Sequence, residues 1–209
     1  DSSPETTSAV TEKPAVPPAP GPELLKYTPE QIEAAYEGQE MPEAVSMYLV
    51  IARDVVRIDP QAVDPSVKNF HWGDLTRGLF EAYARGGNTA VLLNAAGEVT
   101  EGPGFNIFAL SAGRLWTPAG GVLHGITRQT VITLASECGI TTEATMFGPE
   151  RLTRADEIFM TSSAGGVMPI SHLDGQPIGD GCPGPVTLKL RDAYWNAHSD
   201  PRWSTPAFV

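Results

Sequence analysis

A mixed α+β fold is the expectation for this sequence, on three observations. Strand-like runs, hairpin signals and helical stripes follow one another without the strict alternation of a doubly wound sheet. No internal repeat is visible along the 209 residues. With 41% hydrophobic and 19% charged residues, the chain suits one medium globular domain, or one domain plus a tail. The net charge of −11 argues against a nucleic-acid binder, which needs a basic face. Apolar runs such as Val91 to Leu93 are far too short to span a bilayer. Two cysteines, Cys138 and Cys182, make neither a disulfide framework nor a four-ligand zinc site, and point to a reducing, cytoplasmic setting.

The elements follow in chain order. Six prolines and many small polar residues in the first 22 positions predict a flexible tail, taken here as residues 1–27, without the pattern of a signal or transit peptide. Residues 28–40 read as a short acidic helix inside a linker that runs to 45. Thr28 caps it, Pro29 suits the first helical position and Gln31 completes a capping box. The folded core is expected from residue 46 to about 200, followed by a C-terminal tail at 201–209. MYLVIARDVV is β-branched enough for a strand, and VDPSVKNFHWGD follows as a loop. The next segment is helical, with Leu75, Leu79, Ala82 and Tyr83 on one stripe and Gly86-Gly87 at its end. TAVLLN and EVTEG form a hairpin around Asn94 to Gly97, and NIFALSAGRLWTP a second one turning at Ser111 to Gly113. A helix follows with Ile126, Thr130, Val131, Leu134 and Ala135 as its apolar face and Gly139 as its stop. TTEATMF and DEIFMTSS are strands, the second running into Ala164-Gly165-Gly166, and a last helix covers about Pro185 to Ala197.

Four places have the residue types for chemistry. Lys68 lies in the loop between the first strand and first helix, among Val67, Asn69, Phe70 and Trp72. Alone it fits a solvated surface lysine, or a lysine whose amine is freed for covalent work by a partly apolar pocket. Glu101 precedes Gly102 and Gly104 at a strand end, as a turn carboxylate or as an acid facing an internal cation. Gly125-Ile126-Thr127-Arg128 opens a helix, where free N–H groups make an anion site; Arg128 there is solvated or pairs a carboxylate. Thr161-Ser162-Ser163-Ala164-Gly165-Gly166 offers hydroxyls and backbone at a strand end, but lacks the lysine of a Walker loop. His71, His124, His172 and His198 show no metal spacing and read as structural or solvent-facing; no metal site is expected.

In this order and spacing the four segments resemble the fold-type IV pyridoxal-phosphate enzymes. That family includes branched-chain and D-amino acid aminotransferases, aminodeoxychorismate lyases and (R)-selective amine transaminases. Lys68-Asn69-Phe70-His71-Trp72-Gly73-Asp74 and Gly165-Gly166-Val167-Met168-Pro169-Ile170 look most like the amine-transaminase branch. The resemblance runs from about Ser46 to His198. It implies a large domain of the D-amino acid aminotransferase type, with sheets forming a pseudo-barrel flanked by helices. It implies pyridoxal 5'-phosphate as cofactor, held by Lys68 as a Schiff base. Glu101 would pair with the pyridine nitrogen and Leu123 would pack on the ring. Ile126, Thr127 and Ser163 would hold the phosphate, and Trp72, Ser162 and Ala164 would border the substrate. Ser162-Ser163 stands where threonines are common in the family, which keeps the donors and drops the methyls.

The implied activity is transamination between an amino acid or amine and a 2-oxo acid. A lyase of the aminodeoxychorismate type and a truncated, non-catalytic paralogue are the rival readings. The family places a smaller domain ahead of the lysine domain, supplying an arginine to the phosphate and one wall of the pocket. Here about 45 residues precede the matching region and no arginine occurs before Arg53. The resemblance therefore implies a homodimer or a separate N-terminal chain as partner, and the chain, which starts at Asp1, reads as a processed product or a fragment.

Overall fold

β-branched and apolar runs that stay buried on both faces build the centre of this protein, and this is the pattern of strands covered from two sides. The computed structural model describes residues 46–205. The Pro-rich tail and the acidic helix at 28–40 lie outside the described residues, as do the last four. The elements are β1 (Met47–Val56), α1 (Gly73–Ala84), β2 (Thr89–Leu93), β3 (Asn106–Ser111) and β4 (Arg114–Thr117). They continue with α2 (Ile126–Glu137), β5 (Thr142–Ala144), α3 (Glu150–Thr153), β6 (Glu157–Ser162), β7 (Gly166–Leu173), β8 (Gln176–Pro177) and α4 (Pro185–Ala197). All strands join one curled mixed sheet in the order β2-β1-β7-β6-β3-β4-β5, with β8 on β7. Among the described residues no helix is long and apolar enough to cross a membrane.

Alternation along each strand divides the core. Leu49, Ile51, Val91, Ile107, Ala109, Ile158, Met160 and Ile170 face one side, where Phe147 and Leu152 close over them. On the other side Val50, Ala52 and Leu92 meet Leu75 and Ala82 of α1. Farther along that side Phe108 and Phe159 stack at 4.9 Å beneath Val131 of α2 and Leu190 of α4.

Most of the expected elements are present, with informative differences. The second hairpin turns where the sequence placed it, with Ala112 and Gly113 both at positive φ, as a tight two-residue turn requires. The first hairpin keeps a single bridge, Leu93 to Val99, because Thr100 and Glu101 both bond Leu92, a bulge that interrupts the ladder, while the outward Val99 N–H bonds the Phe147 carbonyl. In α1 the buried stripe is Leu75, Gly78 and Ala82, while Tyr83 is exposed; at Gly78 the Leu92 side chain occupies the space of a Cβ. In α2, Ile126 is 81% exposed, and the inner face is Thr127, Arg128, Val131, Leu134 and Ala135. The expected strand TTEATMF shortens to three residues. β7 has no counterpart in the sequence expectation, because Pro169 interrupts its β pattern. The proline is tolerated because β1 joins β7 only from Ile170 onward.

Glu157 shows how distant residues fix the helices. Its carboxylate accepts from the N–H groups of Val186 and Thr187, at 3.1 and 2.7 Å, and from the Thr187 hydroxyl at 2.7 Å. A buried acid on β6 thus caps α4. Glu157→Ala strands three donors, and is expected to cost about 3 kcal/mol. A melting temperature lower by about 10 °C in calorimetry is the corresponding observation.

Candidate active site

One cleft of about 680 Å³, open to solvent, lies where the ends of β1 and β6, the β2–β3 connection, the N-terminus of α2 and the loop before α1 converge. Lys68 lines it on that loop. The loop is a chain of side-chain-locked turns. Asp64 accepts from the Ser66 N–H and hydroxyl, and Asn69 donates to the Val67 carbonyl while accepting from the His71 N–H. The Trp72 indole N–H reaches the Asn69 carbonyl at 3.2 Å. Lys68 itself is exposed and makes no side-chain hydrogen bond among the described residues. The partly apolar pocket read from its neighbours is not closed around it: Phe70 is fully exposed and Val67 is 59% exposed.

Glu101 is 6% exposed and faces the same cleft. Gly102 beside it has no room for a side chain, since a Cβ would meet the Phe105 ring and the Ala90 carbonyl. One carboxylate oxygen accepts from the Arg57 guanidinium at 3.0 Å, the other from the Leu123 N–H at 2.8 Å. Burial pushes this carboxyl above its ordinary value, and the two donors pull it only partly back.

Arg57, at 7% exposure, also reaches Asp74 of the first turn of α1 at 2.6 Å. Burial alone would raise Asp74. Hydrogen bonds from the Ile58 N–H, Arg57 and the Leu75 N–H outweigh it and hold the carboxyl below its usual range.

The α2 N-terminus forms the opposite wall. Gly125 precedes the helix with no side-chain cap, so the first N–H groups of α2 have no intrahelical partner, and Gly125, Ile126 and Thr127 line the cleft. Asn106 supports this turn from below, donating to the Leu123 carbonyl at 2.8 Å, and its side-chain oxygen fills the space a Cβ on residue 125 would need. Arg128 does neither of the things read from the sequence. It is buried against the Thr117 hydroxyl and the Pro118 carbonyl, and burial lowers its guanidinium below the ordinary value. Ser162 and Ser163 line the cleft from the end of β6, the Ser162 hydroxyl accepting from the Gly165 N–H. Ala164 is exposed and stands outside the lining.

Lys68, Trp72, Glu101, Leu123, Ile126, Thr127, Ser162 and Ser163 are therefore brought together, and Ala164 is not. Sequence reading missed Arg57, took Thr161 only as part of the hydroxyl-bearing segment, gave Asp74 and Asn106 no role, and passed over His71, which also lines the cleft. Two buried polar atoms on its walls, Arg57 Nε and Thr161 Oγ1, have no hydrogen-bond partner among the described residues.

Comparison with known proteins points one way. Residues 23–173 match the family described as amino-transferase class IV. A branched-chain-amino-acid aminotransferase of Pseudomonas aeruginosa is 42% identical over 119 residues, 56% of this chain and 39% of that protein. The holo, PLP-form branched-chain aminotransferase structure from Thermobaculum terrenum superposes with a TM-score of 0.72 at 31% identity, covering 80% of this chain and 57% of that one. The branched-chain aminotransferase of the archaeon Thermoproteus uzoniensis, solved with norvaline, gives 0.72 at 32% identity, over 78% and 56%. The match covers about two fifths to one half of the length of the curated relatives, from 38% to 51%.

Proposed function

The chain belongs to the amino-transferase class IV family, and on that premise we propose that its cleft holds pyridoxal 5'-phosphate and moves an amino group from an amino acid or amine to a 2-oxo acid. The observation that carries this reading is the convergence of Lys68, buried Glu101 and the uncapped α2 N-terminus on one cleft. The residues present suit a phosphorylated, cationic heterocycle. The Gly125 turn leaves open N–H groups, Thr161 contributes a hydroxyl with no partner among the described residues, and Glu101 brings a buried negative charge.

The Ile126 and Thr127 N–H groups, with Ser163, would hold the phosphate. Leu123 would pack on the ring, its backbone already fixed by Glu101 and Asn106. Glu101 would hold a proton on the ring nitrogen. When bound, the cofactor supplies a carbonyl for amines and a ring that takes up the electrons released at the substrate Cα. Lys68 Nζ would bond that carbonyl at rest and, once displaced by substrate amine, carry the Cα proton. Trp72 and Ser162 would border the substrate, and the apolar side chains of Val67 and Ile126 on the cleft lining favour donors with apolar side chains.

Residues 46–200 form the cofactor-binding domain in this reading, preceded by a tail at 1–27 and a linker at 28–45, with a C-terminal tail from 201. A second copy or a separate N-terminal chain would complete the pocket, and the exposure of the apolar side chains of Val67 and Ile126 on its lining supports this. Free Cys138 and Cys182 suit a reducing, cytoplasmic compartment.

The test is borohydride reduction of the full-length protein with added cofactor, followed by peptide mass spectrometry. The cofactor mass is expected on the peptide containing Lys68; labelling at Lys26 or Lys189 instead would sink the assignment. Turnover that needs a 2-oxo acid separates transamination from a lyase reaction.

A further inference from the structure

The chain after β1 must make a long excursion through the Lys68 loop before α1 begins, and one side chain closes its base. Arg57 leaves the end of β1 and takes Asp74 at 2.6 Å with one guanidinium nitrogen. Asp74 also accepts from the Ile58 N–H at 2.7 Å and from the Leu75 N–H at 2.8 Å. The two ends of the loop are therefore pinned to each other. With its other terminal nitrogen Arg57 takes Glu101 at 3.0 Å. The planar guanidinium thus binds two carboxylates from separate elements at fixed angles, which an ammonium does not do.

Charge makes the arrangement informative. Arg57 and Glu101 are more than nine-tenths buried, and Asp74 is largely so. One guanidinium between two carboxylates leaves one net negative charge in a place where unpaired charge is costly. A cationic ligand atom in the cleft beside Glu101 would balance it. The other ionisable groups facing the cleft are Lys68 and His71 on the loop and Arg128 on α2. Arg128 is spoken for by Thr117 and Pro118.

We propose that Arg57 is a positioning residue for the transamination site: fixed by Asp74, it keeps the Glu101 carboxylate negatively charged and aimed into the cleft, and ties it to the base of the Lys68 loop. The proposal rests on the cofactor reading above, but its first test does not need cofactor. Full-length apoprotein carrying ¹³C-labelled glutamate side chains is titrated by NMR, with the Glu101 signal assigned by its loss in Glu101→Gln. Arg57→Gln is expected to raise the Glu101 midpoint by about one pH unit or more, a tenfold change in its protonation ratio. Arg57→Lys keeps the cation and loses one arm, and should give a smaller rise. If Arg57→Gln does not fold, the lysine variant carries the test alone. An unchanged Glu101 midpoint in a folded variant overturns the proposal.

The second readout uses ¹⁵N-labelled pyridoxal phosphate in the loaded protein. In the parent the ring nitrogen would hold its proton against an ionised Glu101; in Arg57→Gln, Glu101 becomes the stronger base and should draw that proton toward itself and shift the ¹⁵N signal, with kcat falling more than KM rises and partial rescue by lysine. An unmoved ring nitrogen in Arg57→Gln overturns the proposal. Failure of the parent protein to bind cofactor sinks the functional reading instead, while the apoprotein titration still judges Arg57.

Discussion

Lys68→Ala in the full-length protein is expected to abolish covalent capture of pyridoxal phosphate and to cut turnover by about 10⁴-fold, the upper range for losing a proton-transferring side chain. The same change should leave stability within about 0.5 kcal/mol of the parent. Lys68 is exposed and has no side-chain hydrogen bond among the described residues, so the fold has nothing to lose. The locks on the loop come from Asp64, Asn69 and Trp72, which the substitution leaves in place. Steady-state kinetics alongside a thermal melt give both numbers. Activity retained at a tenth of the parent level would remove Lys68 from the chemistry. A large loss of stability would show that it acts through the fold.

Glu101→Gln is the second large effect. Glutamine keeps the size and one oxygen acceptor but removes the charge that would hold a proton on the ring nitrogen. Cofactor attachment through Lys68 should survive, since the loop and the α2 N-terminus are untouched. The rate should fall by about 10²-fold, the usual cost of removing one electrostatic partner from a developing charge. The loss should appear in kcat rather than KM, because the interaction strengthens in the transition state.

A pH signature accompanies it. Glu101 is raised by burial in the folded state. Its contribution to stability is therefore full below the ordinary glutamate value, about 4.3, and is lost as pH rises through the higher folded value. The parent should lose stability across that window, and Glu101→Gln should lack this slope. Chemical denaturation at several pH values measures it; identical slopes would mean that Glu101 titrates normally.

Local signals explain why much of this was legible beforehand. The second hairpin announced itself through Gly113, which supplies the positive φ its turn needs. Both long helices after it end or begin where Gly139 and Pro185 say they should. The cleft residues were legible because the family's motifs are short and each keeps its own local structure: a loop lysine, an acid before a glycine, a helix start and a hydroxyl-bearing strand end. β7 was not, since a proline inside a strand reads as a break until its neighbours show which edge is free there. Ile126 and Tyr83 were misplaced because a helical stripe says which residues share a face, and the packed partner decides how far round that face the burial extends.

By itself the sequence determined the mixed fold, the order of its main elements and the four segments able to do chemistry, all of which depend on neighbours a few residues away. Only the tertiary structure decided how those segments support one another. Arg57 meets Asp74 across 17 residues and Glu101 across 44, and Glu157 caps a helix 29 to 30 residues on. An arginine at a strand end and an acid in a helix's first turn look like any solvated pair until folding takes them out of water. Burial then makes each charge depend on the other, because a lone ion in that place costs several kcal/mol.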